Sequence, residues 1–115
     1  MQSTDLSLAV TLVDTLAARL GPRLMQATLF GSRVKGTAWP GSDYDLFVLL
    51  DRDDPATRDV LYDAAYDFVP ADINFHIYTP ERMAAAHRLG SPVLRAVDGE
   101  GVPLWPKTPA SPPIA

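Results

Sequence analysis

From residue 21 onward, glycine and proline interrupt this chain so often that only short helices and strands fit between them. Residues 5–20 place Leu6, Val10, Val13, Leu16 and Leu20 at the spacing of an amphipathic helix. Ser3 or Thr4 can cap that helix, and Gly21-Pro22 ends it. Residues 24–30 read as a buried strand running into Gly31. Residues 31–42 hold three glycines and a proline, so they form a loop with room for one helical turn after Ser32. A second strand is expected over 43–50. Asp53 or Asp54 then caps a helix with Pro55 in its first turn and Val60, Leu61, Ala64, Ala65 and Phe68 on its apolar face.

Residues 71–78 alternate, with Ile73, Phe75 and Ile77 on one side and Asp72, Asn74 and His76 on the other. Thr79-Pro80-Glu81 combines a cap, a first-turn proline and an early acid, so a helix starts there and stops at Gly90. Ser91-Pro92 opens a further helix expected to end at Gly99, and residues 102–105 add a short edge strand. The order helix, strand, strand, helix, strand, helix, helix is an α/β arrangement in which helices cover a small sheet. Its 115 residues suit one domain over 1–105. Residues 106–115 read as a proline-rich, flexible tail.

Composition narrows the function. Apolar residues make up 47% of the chain, which is enough to exclude wholesale disorder. The absence of cysteine removes disulfides, thiolate zinc sites and a cysteine nucleophile. No apolar run approaches the ~20 residues of a membrane span, and Asp5 and Asp14 stand where a secretory signal would be basic. The expectation is a cytoplasmic protein with no membrane contact. A net charge of −4 argues against direct nucleic-acid binding by broad phosphate neutralisation. From residue 43 to residue 72 there are nine aspartates and only two basic residues, Arg52 and Arg58. That stretch reads as a cation-dependent site or as a solvated helix face; Asp59, Asp63 and Asp67, on successive turns, suit the second.

The chemistry concentrates in Gly31-Ser32-Arg33-Val34-Lys35-Gly36 and Gly41-Ser42-Asp43-Tyr44-Asp45. Residues two apart on a strand share a face, so the Asp43 and Asp45 carboxylates emerge together, ~7 Å apart along the chain. Magnesium suits such a pair, being a hard cation shared between carboxylates and substrate phosphates. An Asp-x-Asp alone is common in loops and caps. Gly31-Ser32 sharpens it, because a strand turning into a helix at Gly-Ser offers backbone N–H groups and a hydroxyl to phosphate; a plain turn capped by Ser32 is the alternative. Asp72, on the open face of its strand, is placed to be a third carboxylate or is simply a turn residue. His76 and Asn74 share that face, as site residues or as half-exposed strand residues, and Trp39 is a loop aromatic able to stack on a base.

Gly31-Ser32, ten intervening residues and Asp43-Tyr44-Asp45 resemble the signature of the DNA polymerase β-like nucleotidyltransferase superfamily. The short length and Phe30-Gly31-Ser32-Arg33 ahead of Ser42-Asp43-Tyr44-Asp45-Leu46 are similar to the minimal nucleotidyltransferases. The likeness continues through Asp72 to Glu81 and more weakly to Leu104, covering residues 24–105. Val34-Lys35 stands where the family often has Ala-Arg, and Trp39-Pro40 fills a variable loop. The resemblance implies a polymerase β palm-like α/β (α+β) fold, a small mixed sheet flanked by helices. It implies that Asp43 and Asp45 hold Mg2+ with Asp72 as third carboxylate, and that Gly31 and Ser32 hold the triphosphate of ATP, with Arg33 or Lys35 to neutralise it.

Minimal nucleotidyltransferases of this kind pair with small helical HEPN-type proteins, and the pair forms a toxin–antitoxin system. The resemblance therefore implies an antitoxin that transfers AMP from ATP to a tyrosine of its toxin. A partner chain or a homodimer would complete the acceptor site. A small-molecule acceptor such as an aminoglycoside is the enzymatic alternative, with the Asp59, Asp63, Asp67 stripe as its local candidate pocket. A non-catalytic partner that occludes a toxin is a third.

Overall fold

Helix α1 (Ser3–Leu20) turns Leu12, Val13 and Leu16 inward at helical spacing, and each is almost fully buried. A computed structural model describes residues 3–39 and 41–107 of the chain. The side chains of Ser3 and Thr4, the expected caps, lie outside the described set. A 3₁₀ turn over Gly21–Arg23 leads into β1 (Leu24–Phe30), followed by the single-turn helix α2 (Ser32–Lys35) and β2 (Tyr44–Leu50). Then come α3 (Pro55–Tyr66), β3 (Ile73–Tyr78), α4 (Pro80–Arg88), α5 (Pro92–Glu100) and β4 (Val102–Trp105).

The strands form one sheet in the order β3-β2-β1-β4. β1 pairs antiparallel with β2 and β4, whereas β2 and β3 run parallel. The sheet is therefore mixed, as expected of this fold. Strand alternation sorts its side chains into two layers. Leu29, Leu46, Val48, Leu50, Phe75 and Ile77 meet α1 and α3 on one face. Phe30, Phe47 and Leu49 meet Leu94 and Val97 of α5 on the other, with Tyr78 and Met83 at the margin. Burying each of these large side chains stabilises the fold by about 1.5–3 kcal/mol.

Start signals held where a side chain takes the helix's free N–H groups. Asp54 accepts from the Thr57 amide at 2.8 Å, Thr79 from Arg82 at 3.4 Å and Ser91 from Leu94 at 3.4 Å, each followed by proline. Two expectations shift. Helix α5 runs through Gly99 to Glu100, and Gly101 is the residue that closes it: a Cβ there would lie 2.5 Å from both Thr28 Cγ2 and Val97 O. The strands expected from 43 and 71 begin at Tyr44 and Ile73, because the ladder opens with the Tyr44 amide donating to Asp72 O at 2.8 Å. Asp43 and Asp72 thus stand side by side just ahead of two parallel strands.

The edge strand β4 is pinned by Trp105, whose indole N–H donates to Leu24 O at 3.0 Å. Of the expected tail, only Pro106 and Lys107 are described; the Lys107 ammonium meets Asp14 at 2.9 Å, and residues 108–115 lie outside the described set. Among the described residues no helix is long and apolar enough to cross a membrane.

Candidate active site

The α4 and α5 layer covers only part of its face of the sheet. The uncovered part carries the N-terminal ends of β2 and β3, beside the end of β1, where the register sets Phe30 against Asp45 and Asp45 against Asn74. β1 leaves the sheet through Gly31, at φ 84° and ψ −157°, a backbone region that is nearly glycine-only. A second demand falls on the same residue. A Cβ at position 31 would run into the Asp45 carboxyl, whose carbon would lie only 3.1 Å away. The backbone of the turn and the strand carboxylate can meet because residue 31 has no side chain.

α2 follows at once. The Gly31 carbonyl accepts from Val34 and Lys35 at 3.0 and 3.1 Å. The amide of Ser32, first in the turn, has no carbonyl within it to bond. Ser32, Asp43 and Asp45 line one open cleft of about 500 Å³, with Ser42 and Trp39 on its loop side. Trp39 is 70% exposed, and its backbone is tied to Ser42 by two bonds of 3.0 and 2.9 Å.

Asp45 is a held carboxylate. Its Oδ1 accepts from Asn74 Nδ2 at 3.2 Å and lies 3.1 Å from His76 Nε2, and the His76 ring packs edge-on against Phe30 at 4.8 Å. His76 and Asn74, left open between site and surface by the sequence, are therefore neighbours of the site. Their shared strand face was legible; their convergence on one oxygen required the β2–β3 register. Asp43 is exposed at the cleft. Asp72 is exposed beside it but does not line the cleft.

Among the described residues, no three histidine, aspartate or glutamate side chains are grouped closely enough to hold a metal ion. The expected three-carboxylate set is thus not drawn together here. The donors nevertheless suit a hard cation: Asp43 and Asp45 open on the same cleft as the Ser32 hydroxyl, and all are oxygens.

The two candidate cations divide. Lys35 is exposed and meets Glu100 at 3.4 Å, a surface pair worth ~0–1 kcal/mol and easily exchanged. Arg33 turns away from the cleft. Its Nη1 donates to Asp5 Oδ1 at 3.2 Å, its Nη2 donates to Ser42 O at 2.8 Å, and its guanidinium lies 4.3 Å from the centre of the Tyr44 ring. A guanidinium already given a buried carboxylate, a carbonyl and an aromatic face is ill placed to serve as a triphosphate counterion. Asp5 is only 5% exposed and also accepts from Tyr44 Oη at 2.9 Å. Burial pushes the Tyr44 phenol up, and its bond to Asp5 adds to the shift. Sequence reasoning missed Asp5 as a partner of this region, since it carries no motif and stands as the first acid of a helix.

Residues 12–87 match the family model described as polymerase beta, nucleotidyltransferase. Among solved structures, a chain of a toxin–antitoxin complex crystallised with AMP-PNP is 27% identical with a TM-score of 0.60, over 86% of this chain and 74% of that one. A chain of the complex between tri-AMPylated Shewanella oneidensis HEPN toxin and MNT antitoxin is 24% identical, with a TM-score of 0.54 over 88% and 72%. Spectinomycin adenyltransferase AAD(9) from Enterococcus faecialis, solved with ATP and spectinomycin, is 18% identical, with a TM-score of 0.56 over 67% and 35%. At those identities the last two share the fold alone. No curated protein matches.

Proposed function

This chain belongs to the polymerase β nucleotidyltransferase family, and from that premise we propose that it transfers AMP from ATP to a hydroxyl, with a tyrosine of a small HEPN-type partner as acceptor. The observation that carries the reading is the convergence of the Gly31-Ser32 turn with Asp43 and Asp45 on one cleft. The Ser32 hydroxyl and amide would hold the β- and γ-phosphates, and Lys35 would exchange Glu100 for phosphate oxygen. Asp43 and Asp45 would hold Mg2+, which when bound supplies charge stabilisation to the attacking and leaving oxygens, with Asp72 beside Asp43 as the expected third carboxylate outside the cleft. The acceptor oxygen forms its bond to the α-phosphorus as the bond to pyrophosphate breaks, and the Asp72 carboxylate would take the acceptor's proton. Asn74 and His76 keep Asp45 aimed during this exchange. Positioning and electrostatics then supply most of the rate.

A protein acceptor is supported by the 27% identity to a chain of a toxin–antitoxin complex. The local pocket of the small-molecule alternative exists, an open hollow of about 620 Å³ lined by Asp59 and Asp63 with Arg19, Tyr62 and Tyr66, but it is remote from the Gly31-Ser32 turn. Asp63 and Asp67 lie beside Arg19, at 2.8 and 4.0 Å, on the α1–α3 side of the sheet and away from Asp45. The stripe is a helix face in solvent, partly paired with the neighbouring helix.

The test is transfer of label from ATP carrying it at the α-phosphate, with magnesium, in lysate of the source cell. Label on a small protein band, lost with Asp43→Asn plus Asp45→Asn while the fold is retained, is the expected result. Normal transfer by that folded double variant would sink the carboxylate assignment. Label found only on small molecules would move the acceptor to the alternative, and no transfer from folded protein would favour an occluding partner.

A further inference from the structure

We propose that Asp5, Arg33 and Tyr44 form an internal strut that sets the distance between the phosphate-side turn and the carboxylate strand, making Arg33 a positioning residue. The proposal rests on the nucleotidyl-transfer reading for its catalytic consequence but not for its structural one. The β1–β2 ladder brings Phe30 against Asp45, but Ser32 and Asp43 lie beyond its end, where no ladder hydrogen bond joins them. Ser32 begins α2, whereas Asp43 and Asp45 flank the first residue of β2.

Arg33 bridges that gap. It stands next to Ser32, donates to the carbonyl of Ser42 immediately before Asp43, and stacks on Tyr44 between the two aspartates. Its position is in turn set from α1. Asp5 Oδ1 accepts from both Arg33 Nη1 and Tyr44 Oη, so one buried oxygen fixes the turn and the strand together. A planar fork suits this geometry, since it can serve a carboxylate and a carbonyl at once while its face lies on a ring. The strut continues outward, because Ser42 closes the loop that carries Trp39 at the mouth of the cleft.

Asp5 makes the decisive position because it does not line the cleft. A loss of transfer on substituting it must travel through Arg33 and Tyr44. A phosphate ligand behaves otherwise: its loss raises KM for ATP and is indifferent to Asp5.

The experiment compares full-length Asp5→Asn, Arg33→Lys and Tyr44→Phe, with Asp14→Asn, a surface acid of the same helix, as control. Two readouts are taken. The first is the fluorescence anisotropy decay of Trp39 in a Trp105→Phe background, which needs no activity. The second is kcat and KM for ATP in the labelled transfer. We expect faster Trp39 motion in all three strut variants, with kcat reduced about tenfold or more and KM within about twofold, as for an interaction acting only on site geometry. Asp5→Asn combined with Arg33→Lys should lose no more than the worse single variant, since both break one unit. If Asp5→Asn does not fold, Tyr44→Phe, which removes a single hydroxyl, carries the same comparison. Unchanged Trp39 motion in folded strut variants overturns the proposal. So does a rise in KM with Arg33→Lys that Asp5→Asn and Tyr44→Phe do not share. If the wild-type chain transfers nothing, the functional reading fails while the anisotropy arm still decides the strut.

Discussion

Gly31 answers two demands at once, and its neighbour glycine in α2's C-cap separates them. Gly36 is left-handed, at φ 79° and ψ 14°, with nothing within 4 Å of an added Cβ. Gly36→Ala should cost only the left-handed backbone penalty, about 1–2 kcal/mol, and leave the cleft intact. Gly31→Ala pays about 1–3 kcal/mol for its rarer backbone region and also drives a methyl group into the Asp45 carboxyl. Thermal unfolding should therefore show the larger loss for Gly31→Ala, with labelled transfer abolished only in that variant. Equal transfer by both would mean that the approach of residue 31 to Asp45 has no functional weight. At this scale Gly31, Ser32, Asp43 and Asp45 were legible, since a turn that needs glycine and a strand with alternating acids are local patterns. Arg33 was not: its charge could be read, but its partners lie 28 residues back and nine residues ahead.

Elements were read best where chemistry marks the boundary. Proline after Thr79 and Ser91 gave two helix starts to the residue, and Pro55 gave a third with its cap left between Asp53 and Asp54, because cap and proline act within one turn. The end of α5 was misplaced because Gly99 looks like a stop. A glycine inside a helix costs only about 1 kcal/mol, which packing of Leu94 and Val97 on the sheet offsets. Helix α3 is anchored by Leu61, fully buried under the sheet between α1 and β3 neighbours. Leu61→Ala should cost about 2–5 kcal/mol, read as a lowered urea midpoint with an unchanged slope. A loss under 1 kcal/mol would mean that α3 is held by its cap and the Arg19 pairs instead.

Across the whole molecule the two helical layers are clasped at the end of the sheet away from the cleft. Asp53 takes both Arg58 Nε and Nη2 at 2.7 Å from α3, and Arg82 Nη1 at 3.3 Å from α4. The Arg58 hydrogen bonds, followed by the charges of Arg58 and Arg82, hold the Asp53 carboxyl below the usual carboxylate range, while the Thr57 hydroxyl and amide do the same for Asp54. A carboxyl with a depressed folded value contributes stability that is complete above its unfolded pKa and drains away as pH falls through the folded one. Stability should therefore decline on the acid side below about pH 4, the ordinary carboxylate range, and Asp53→Asn should flatten that decline. Chemical denaturation between neutral and acid pH checks it; parallel curves for the wild type and the variant would remove Asp53 from the acid response.

By itself the sequence determined the kind and order of the main helices and strands, because caps, prolines and hydrophobic period act over a few residues. It also identified the turn and the aspartates around which a nucleotidyl-transfer site would form. Only the tertiary structure decided which strands run parallel, and so that Asn74 and His76 hold Asp45 while Asp43 and Asp72 stand side by side. It likewise decided that Arg33 faces inward to Asp5 and Tyr44. The physical reason is common to all of these: a side chain's partner is chosen by register and by competition for burial between distant segments, and neither is written in the spacing of neighbours.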